Sequence, residues 1–350
     1  MKMSPASRNW EYHIRCLAAA IILRGPNHAY SKINFHLLAS SRLLLMLQTL
    51  SAREPNDWQE RLPIRSAWLG EIKLALGEAE NPKFSTDYEL YRSVDSLMIE
   101  VTTVVSTMAQ FDQLLAQRST APGLNTKGSN QILIDLYDTA EDILSRTEVR
   151  LARWNTNICE ISFSSWLSLY HDMATNPISG LFWSNINEGE FRSYLDSVLT
   201  FRNMLEYHSV TMYWTIIMSL RLLLSDMLTL MVWTNVDGMP ANSPQRIEDH
   251  RIKLMKYALN VLQTICYATH MENREVAPFV FATAFQLTVA VLERECKSLR
   301  EAAGNHENRV MRCEGLKSLA VRYLDWAVQN KIPVTIDLDS LRKWEFASIA

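Results

Sequence analysis

Residues that interrupt regular structure are scarce in this chain. Its 350 residues include 10 glycines and 11 prolines, about half of what average usage of roughly 12% for the two together would give. A β-sandwich or β-barrel needs many tight turns, and those turns are rich in glycine and proline. The shortage therefore argues against a turn-rich all-β fold and favours long helices.

Paired cysteines are also missing. The five cysteines are Cys16, Cys159, Cys266, Cys296 and Cys313, and no two of them form a CxxC pair. A disulfide framework and a zinc site built from close cysteine pairs are therefore excluded. We interpret the thiols as scattered small hydrophobic residues in a reducing compartment.

A surplus of basic residues is absent as well. The chain has 35 Lys and Arg against 38 Asp and Glu, a net charge of −3, so no global positive field attracts it to nucleic acid or to an anionic membrane. It has no N-x-[ST] glycosylation site, and no apolar run precedes Glu11. The sequence therefore predicts a protein that is not secreted.

Long hydrophobic runs without charge are few and short. Tyr207–Leu220 is uncharged, and so is Val276–Leu292, but Pro278 and several polar residues interrupt the second run. A helix that crosses a bilayer core of about 30 Å needs about 20 apolar residues. We predict that both runs are buried core helices and that the protein does not span a membrane.

Helical periodicity is present in nearly every window, with apolar residues recurring at spacings of three and four. We predict an all-α fold in which residues 1–350 form a single large domain of roughly ten helices. The expected helices are Asn9–Leu23, one ending near Leu50, one around Trp68–Leu76, Thr86–Gln117, Asn130–Trp154, Phe163–His171, Glu188–Trp233 (broken at most once), Pro244–His270, Pro278–Ala303 and Asn305–Gln329. Val334–Leu338 is the only segment that resembles a strand.

Three boundary signals accompany this pattern. Thr86 and Glu89 have the spacing of a capping box at a helix start, and Ser119–Ser129 contains the proline and glycines typical of a surface loop. Arg24-Gly25-Pro26 predicts a sharp corner between two helices, because glycine caps a helix end and proline prevents the helix from continuing.

One helix carries several carboxylates, at Asp135, Asp138, Glu141 and Asp142. Such a helix can hold magnesium for diphosphate chemistry, as in helical enzymes of terpene-synthase type. Those enzymes need a second metal-binding motif, and the sequence contains none. A solvated acidic face is the favoured interpretation. We therefore predict no catalytic residue, no metal ligand and no cofactor, and we keep the magnesium enzyme using Asp135–Asp142 as the alternative.

The most apolar stretch contains two further candidates. The aromatic residues Tyr207, Tyr213, Trp214 and Trp233 fit either a small-molecule pocket or ordinary core packing, and core packing is favoured. Arg221 and Asp226 lie in the same stretch. Because a buried charge must be paired or must face a cavity, we expect each of them in an ion pair or at a helix end.

Several motifs, taken in order, resemble one known family. They are YHIRCLAAAIILRGP at Tyr12–Pro26, the leucine-rich run Leu37–Leu47 with Arg42, Tyr213-Trp214 leading to Leu220-Arg221-Leu222-Leu223, Ile265-Cys266-Tyr267, Ala277-Pro278-Phe279, and Arg312-Cys313-Glu314-Gly315-Leu316. This order is similar to the regulatory region of fungal transcription factors that carry a binuclear zinc cluster made by six cysteines.

The resemblance implies regulation of transcription in the nucleus; without it we would expect the cytoplasm. It also implies a protein partner, either a second copy or a full-length relative, and allows for a small-molecule effector. Because the cysteines of the zinc cluster are missing, we expect a regulatory region without its DNA-binding module and no direct DNA binding. A short paralogue, an accessory regulator encoded in a gene cluster and an incomplete gene all fit this expectation.

Overall fold

The computed structural model describes residues 82–120, 126–154, 158–169, 188–269, 277–302 and 306–329, together with residues 16, 19, 20, 23, 49 and 50. In this part of the chain the fold is all-α, as predicted, with one small two-stranded sheet. The Arg24-Gly25-Pro26 corner, most of the helices expected before Pro82, and the strand-like Val334–Leu338 lie outside the described residues.

The elements follow the predicted order. They are α1 (Pro82–Thr120), α2 (Thr126–Ala152), β1 (Cys159–Ser162), α3 (Phe163–Leu169), α4 (Glu188–Tyr194), β2 (Ser197–Thr200), α5 (Met204–Trp233), α6 (Ser243–Gln263), α7 (Ile265–Thr269), α8 (Ala277–Glu301) and α9 (Glu307–Gln329). Contacts group the chain into two compact units. One is Met1–Arg150 with Met231–Met239, and the other is Leu151–Leu230 with Pro240–Ala350. The single domain over residues 1–350 stays a prediction.

In the first unit α1 and α2 pair side by side. The spacing in α2 predicts one face made of Leu133, Leu136, Ala140, Ile143, Thr147, Leu151 and Trp154. The first six residues are buried, while Trp154 lies beyond the helix end and is partly exposed. On α1 the buried residues include Val101, Val105, Met108 and Phe111, as the spacing predicts. Arg118 near the end of α1 donates to Asn130 Oδ1 of α2 at 2.7 Å, which fixes the turn end of the pair.

Two boundary predictions in this unit are wrong. Thr86 does not begin a helix, because α1 already starts at Pro82. Proline suits a first helical position, since its fixed φ matches the helix and the missing N–H would have no partner there. The loop expected over Ser119–Ser129 is also too long, because α2 begins at Thr126 and takes Gly128 into its first turns.

The second unit contains a sheet that the periodicity did not predict. β1 pairs with β2 in antiparallel register, with Cys159 opposite Thr200 and Ser162 opposite Ser197. Four residues are too few for an alternating pattern to stand out. β2 divides the helix expected over Glu188–Trp233 into α4 and α5, and Asn203 caps the new start. Its Oδ1 accepts from Glu206 N at 2.9 Å, while Glu206 Oε2 accepts from Arg202 N at 2.8 Å.

Helix α5 is long, apolar and largely buried. Among the described residues, Glu206–Trp233 is the one helix long and apolar enough to cross a membrane, with a mean hydropathy of 1.7. Within the protein, however, 89% of its most apolar window is buried. That burial agrees with the prediction that Tyr207–Leu220 belongs to a protein core rather than to a lipid-facing segment.

Helices α6, α8 and α9 pack together in the second unit. α6 starts at Ser243 rather than at Pro244, and the Ser243 hydroxyl donates to Pro240 O at 2.6 Å instead of capping the helix. The helix predicted to run to His270 breaks at Thr264, where α6 gives way to α7. The helical spacing on α9 predicts a buried face of Val310, Cys313, Leu316, Ala320, Tyr323 and Ala327. All of these residues are buried except Val310, which is partly exposed.

Candidate functional site

A groove of about 450 Å³ lies between α6, α8 and α9. This volume falls within the range of small-molecule sites, roughly 300–1,000 Å³. Its lining combines charged residues (Glu248, Arg251, Glu295, Arg309 and Arg312) with apolar residues (Ile252, Met255, Leu259, Leu299 and Leu316), and it also includes Cys313. The groove is therefore suited to a molecule that has both a polar and an apolar part.

Glu295 of α8 is the central charged residue of the groove. Its side chain is only 7% exposed, and its Oε2 is buried without a hydrogen bond to any residue that the structure describes. The nearest cations stand at ion-pair distance: Arg251 Nη1 is 3.6 Å from Oε2, and Arg309 Nη2 is 3.7 Å from Oε1. A hydrogen bond to oxygen requires about 2.7–3.2 Å. The two arginines thus balance the charge of the carboxylate without hydrogen-bonding to it, and Oε2 remains an unused acceptor.

The arginines of the groove differ in how firmly they are held. Arg251 of α6 donates through Nη2 to Glu248 Oε1 at 2.8 Å and through Nη1 to Ser298 Oγ at 3.2 Å, so its guanidinium is fixed. Arg309 is 59% exposed, and within the described part of the chain it is paired with Glu295 alone. Arg312, one turn further along α9, is exposed and forms no hydrogen bond or ion pair with the described residues. Its five donors remain available to a ligand.

The motif Arg312–Leu316 builds much of this wall. Arg312, Cys313 and Leu316 line the groove, and Glu314 pairs with Arg300 of α8. Gly315 faces the other way, towards α4, where an added Cβ would overlap the ring of Tyr194. The glycine is therefore required for the close approach of α4 to α9.

Two neighbouring thiols lie at the groove, with Cys313 in its lining and Cys296 outside the lining. Cys313 of α9 donates to Leu292 O at 3.2 Å and also hydrogen-bonds with Cys296 of α8. Burial raises the pKa of Cys313 well above its usual range. Because the thiolate is the reactive form, the raised pKa of Cys313 fits a packing residue, as expected for a small hydrophobic side chain.

The acidic residues of α2 lie on or near the solvent-facing side of the helix. Asp135, Asp138 and Asp142 are exposed and Glu141 is partly exposed. Asp135 accepts from Gln131 Nε2 at 2.8 Å, and Asp142 pairs with Arg146 one turn later. Among the described residues no group of three or more His, Cys, Asp or Glu side chains is arranged to hold a metal ion. The magnesium enzyme stays an untested alternative, and no observation favours it.

The aromatic candidates divide between core and surface. Tyr207, Tyr213 and Trp214 are buried, and Tyr207 packs edge-on against Tyr267 at a ring-centre distance of 4.8 Å. These contacts are ordinary core packing. Trp233, by contrast, is 63% exposed at the end of α5, so core packing accounts for three of the four residues.

The two charged candidates of α5, Arg221 and Asp226, are both buried. Asp226 pairs with Arg294 of α8, as expected. Arg221 meets a histidine instead of a carboxylate, with its Nη1 3.1 Å from His250 Nδ1 of α6. Since arginine can only donate, Nδ1 must accept and the ring proton must lie on Nε2. This pair links α5 to α6 and leaves both side chains away from the groove.

Glu295, Arg251 and Arg309 were not singled out by the sequence, whereas Arg312 belongs to a motif that was; a signal for Glu295 was nevertheless present. Glu295 belongs to the same helical face as the apolar Leu292, Cys296 and Leu299, all of them buried. A lone carboxylate on such a face calls for an explanation, because Glu is almost never buried without a partner. The partners could not be predicted, since they come from two other helices.

Comparison with known proteins adds no name to this site: no protein-family profile, curated protein or solved structure matches the chain.

Proposed function

We propose that the chain is a helical regulatory protein, of the kind that accompanies binuclear zinc-cluster modules in fungal transcription factors, and that the groove around Glu295 is its effector site. The family proposal rests on the ordered motifs in the sequence. The site rests on one observation: a buried carboxylate with an open acceptor lies beside a groove of ligand size.

A buried acceptor without a donor is costly, by about 1–3 kcal/mol. Proteins keep such groups where a ligand or ordered water supplies the missing donor. In this chain the groove brings that donor within reach of Glu295. Occupation would join α6, α8 and α9 through one molecule, and a partner protein could then respond to how these helices are held.

The partner is proposed to be a second copy of the chain or a full-length relative that carries the DNA-binding module. Regulation would take place in the nucleus through that partner, without direct DNA binding by this chain. The resemblance in sequence supports this part of the proposal.

The proposal is tested by fusing the chain to an unrelated DNA-binding domain and measuring a reporter gene in cells. We expect the fusion to alter reporter output and Glu295→Gln to change that output at least about twofold at equal protein level. The matched control is Glu293→Gln, which lies on the same helix, is half exposed and does not line the groove. A fusion without effect on the reporter, or a control that acts like Glu295→Gln, would contradict the proposal.

The expected lack of DNA binding has its own measurement. The purified chain should contain no stoichiometric zinc and should give no sequence-specific gel shift at moderate salt. A specific complex with nanomolar affinity would overturn this part, because such affinity requires clustered phosphate contacts.

A further inference from the structure

We infer that the groove binds a small amphipathic zwitterion, such as an amino acid or dipeptide with an apolar side chain, whose ammonium group meets Glu295 and whose carboxylate meets Arg312. This inference rests on the proposed function of the groove and names the chemical class of its ligand. It follows from three features of the groove that make separate demands on a ligand.

The first demand comes from Glu295. Its open Oε2 requires a hydrogen-bond donor, and the nearest cations cannot supply one from 3.6 and 3.7 Å. Arg251 is already held by Glu248 and Ser298. An ammonium group satisfies a buried carboxylate best, because charge-assisted hydrogen bonds are roughly twice as strong as neutral ones.

The second demand comes from α9. Arg312 is exposed and makes no hydrogen bond or ion pair with any described residue, and Arg309 lies one turn before it with a single distant partner. A planar guanidinium matches a carboxylate with two parallel hydrogen bonds. The same ligand therefore carries an anionic group within reach of α9.

The third demand is set by the apolar lining and by total charge. Met255 and Leu259 continue the α6 face beyond Arg251, with Leu259 about 12 Å further at roughly 1.5 Å per residue. This length fits one or two apolar side chains. Three arginines and two glutamates line the groove, so a simple cation would be repelled, and a simple anion would leave Glu295 without a donor.

The test is calorimetric titration of the purified chain with matched probes. L-Phenylalanine and the dipeptide Leu-Phe carry both charges, 2-phenylethylamine carries only the ammonium group, and 3-phenylpropionate carries only the carboxylate. We expect at least one zwitterion to bind about tenfold or more tightly than either single-charge probe, which corresponds to about 1.4 kcal/mol or more.

Two variants assign the ends of the ligand. Arg312→Gln should weaken the zwitterion about tenfold and leave 2-phenylethylamine unchanged, because only the carboxylate contact is lost. Glu295→Gln should weaken the zwitterion and 2-phenylethylamine but not 3-phenylpropionate. The controls are Arg300→Gln and Glu293→Gln, which alter half-exposed residues outside the groove lining.

Each contrary result overturns a defined claim. If no zwitterion binds, or if a single-charge probe binds as tightly, the ligand class is wrong. The proposed function then still stands as long as Glu295→Gln changes the reporter. If the zwitterion binds but Arg312→Gln and Arg300→Gln weaken it equally, the assignment of the carboxylate to Arg312 is wrong.

Discussion

Two buried glutamates, one in each unit, each have two arginines nearby. One of them forms short hydrogen bonds to both arginines, and the other forms none. The side chains of Glu100 and Glu295 are both 7% exposed. The two arginines near Glu100 both belong to α2, whereas those near Glu295 belong to α6 and α9. Glu100 accepts from Arg146 at 3.2 Å and from Arg150 at 2.9 Å, one arginine on each oxygen. The two arginines of Glu295 stop at 3.6 and 3.7 Å, and a groove lies beside it.

This difference indicates that the carboxylate of Glu100 stabilises the fold, whereas that of Glu295 is suited to binding a ligand. Around Glu100, two arginines of α2 each donate to one carboxylate oxygen, so both acceptors are used and the cluster ties α1 to α2. Around Glu295 a third helix takes part, and Arg251 is drawn away by Glu248 and Ser298. The remaining space and the open acceptor are the properties that a ligand site needs.

The largest expected effect on stability concerns His208, a buried imidazole that stays neutral in the folded protein. Burial lowers the pKa of His208 to about 4 from the ordinary 6.5, so the unfolded chain binds more protons between these pH values. Stability is full above about pH 6.5 and falls as the pH is lowered towards 4, with a loss of about 2.5 kcal/mol at pH 4.5 from this group.

Urea unfolding at pH 7 and pH 4.5 measures this loss in the wild-type chain and in His208→Gln. The variant should lose about 2.5 kcal/mol less between the two pH values. Equal losses in both proteins would show that His208 is not held neutral by burial.

A second prediction concerns a substitution that removes one hydrogen bond from the cluster of Glu100, Arg146 and Arg150. Arg150→Gln removes the donor to Glu100 Oε1 and leaves a buried carboxylate half satisfied, as in Glu295. We expect the free energy of unfolding to fall by about 1–3 kcal/mol. Arg146→Gln should cost less, because Arg146 is 46% exposed against 30% for Arg150 and also pairs with the exposed Asp142. The reverse order in denaturant unfolding would contradict the account.

A third prediction concerns the exposed arginine of the groove. Arg312→Gln should change the free energy of unfolding by less than about 0.5 kcal/mol, since exposed substitutions away from structural contacts have small effects. A larger loss would mean that Arg312 holds the fold together, and it would weaken its assignment to a ligand.

The smallest effect is expected on the acidic face of α2. Asp135→Asn should leave the melting temperature unchanged, and magnesium should not raise the melting temperature of either protein, because the carboxylates face solvent. Magnesium stabilisation that disappears in Asp135→Asn would revive the enzyme alternative.

The sequence predicts the helices well and the site poorly, for one physical reason. Helical faces such as Leu133–Thr147 arise from local spacing, which a single sequence displays. The sheet pairs Cys159 with Thr200 across a long separation, and four-residue strands carry too little pattern to reveal it. The groove is also non-local, since the surroundings of Glu295 depend on side chains from α6 and α9.

Some site signals were nevertheless present in the sequence. The motif Arg312–Leu316 was recognised, and three of its residues line the groove. Glu295 was visible as a charge on an apolar face. The sequence could not provide the distances from Glu295 to Arg251 and Arg309. Those distances show that the carboxylate is near both arginines but hydrogen-bonds to neither.

The most direct test is to compare Glu100→Gln and Glu295→Gln by denaturant unfolding in the same buffer without ligand. Glu100→Gln should lose about 2 kcal/mol, because charge-assisted hydrogen bonds to both arginines are weakened or lost. Glu295→Gln should leave the free energy of unfolding unchanged or raise it, because the carboxylate makes no short hydrogen bond to lose and its buried open acceptor costs about 1–3 kcal/mol. Equal losses in the two variants would contradict the central claim that one carboxylate is structural and the other awaits a ligand.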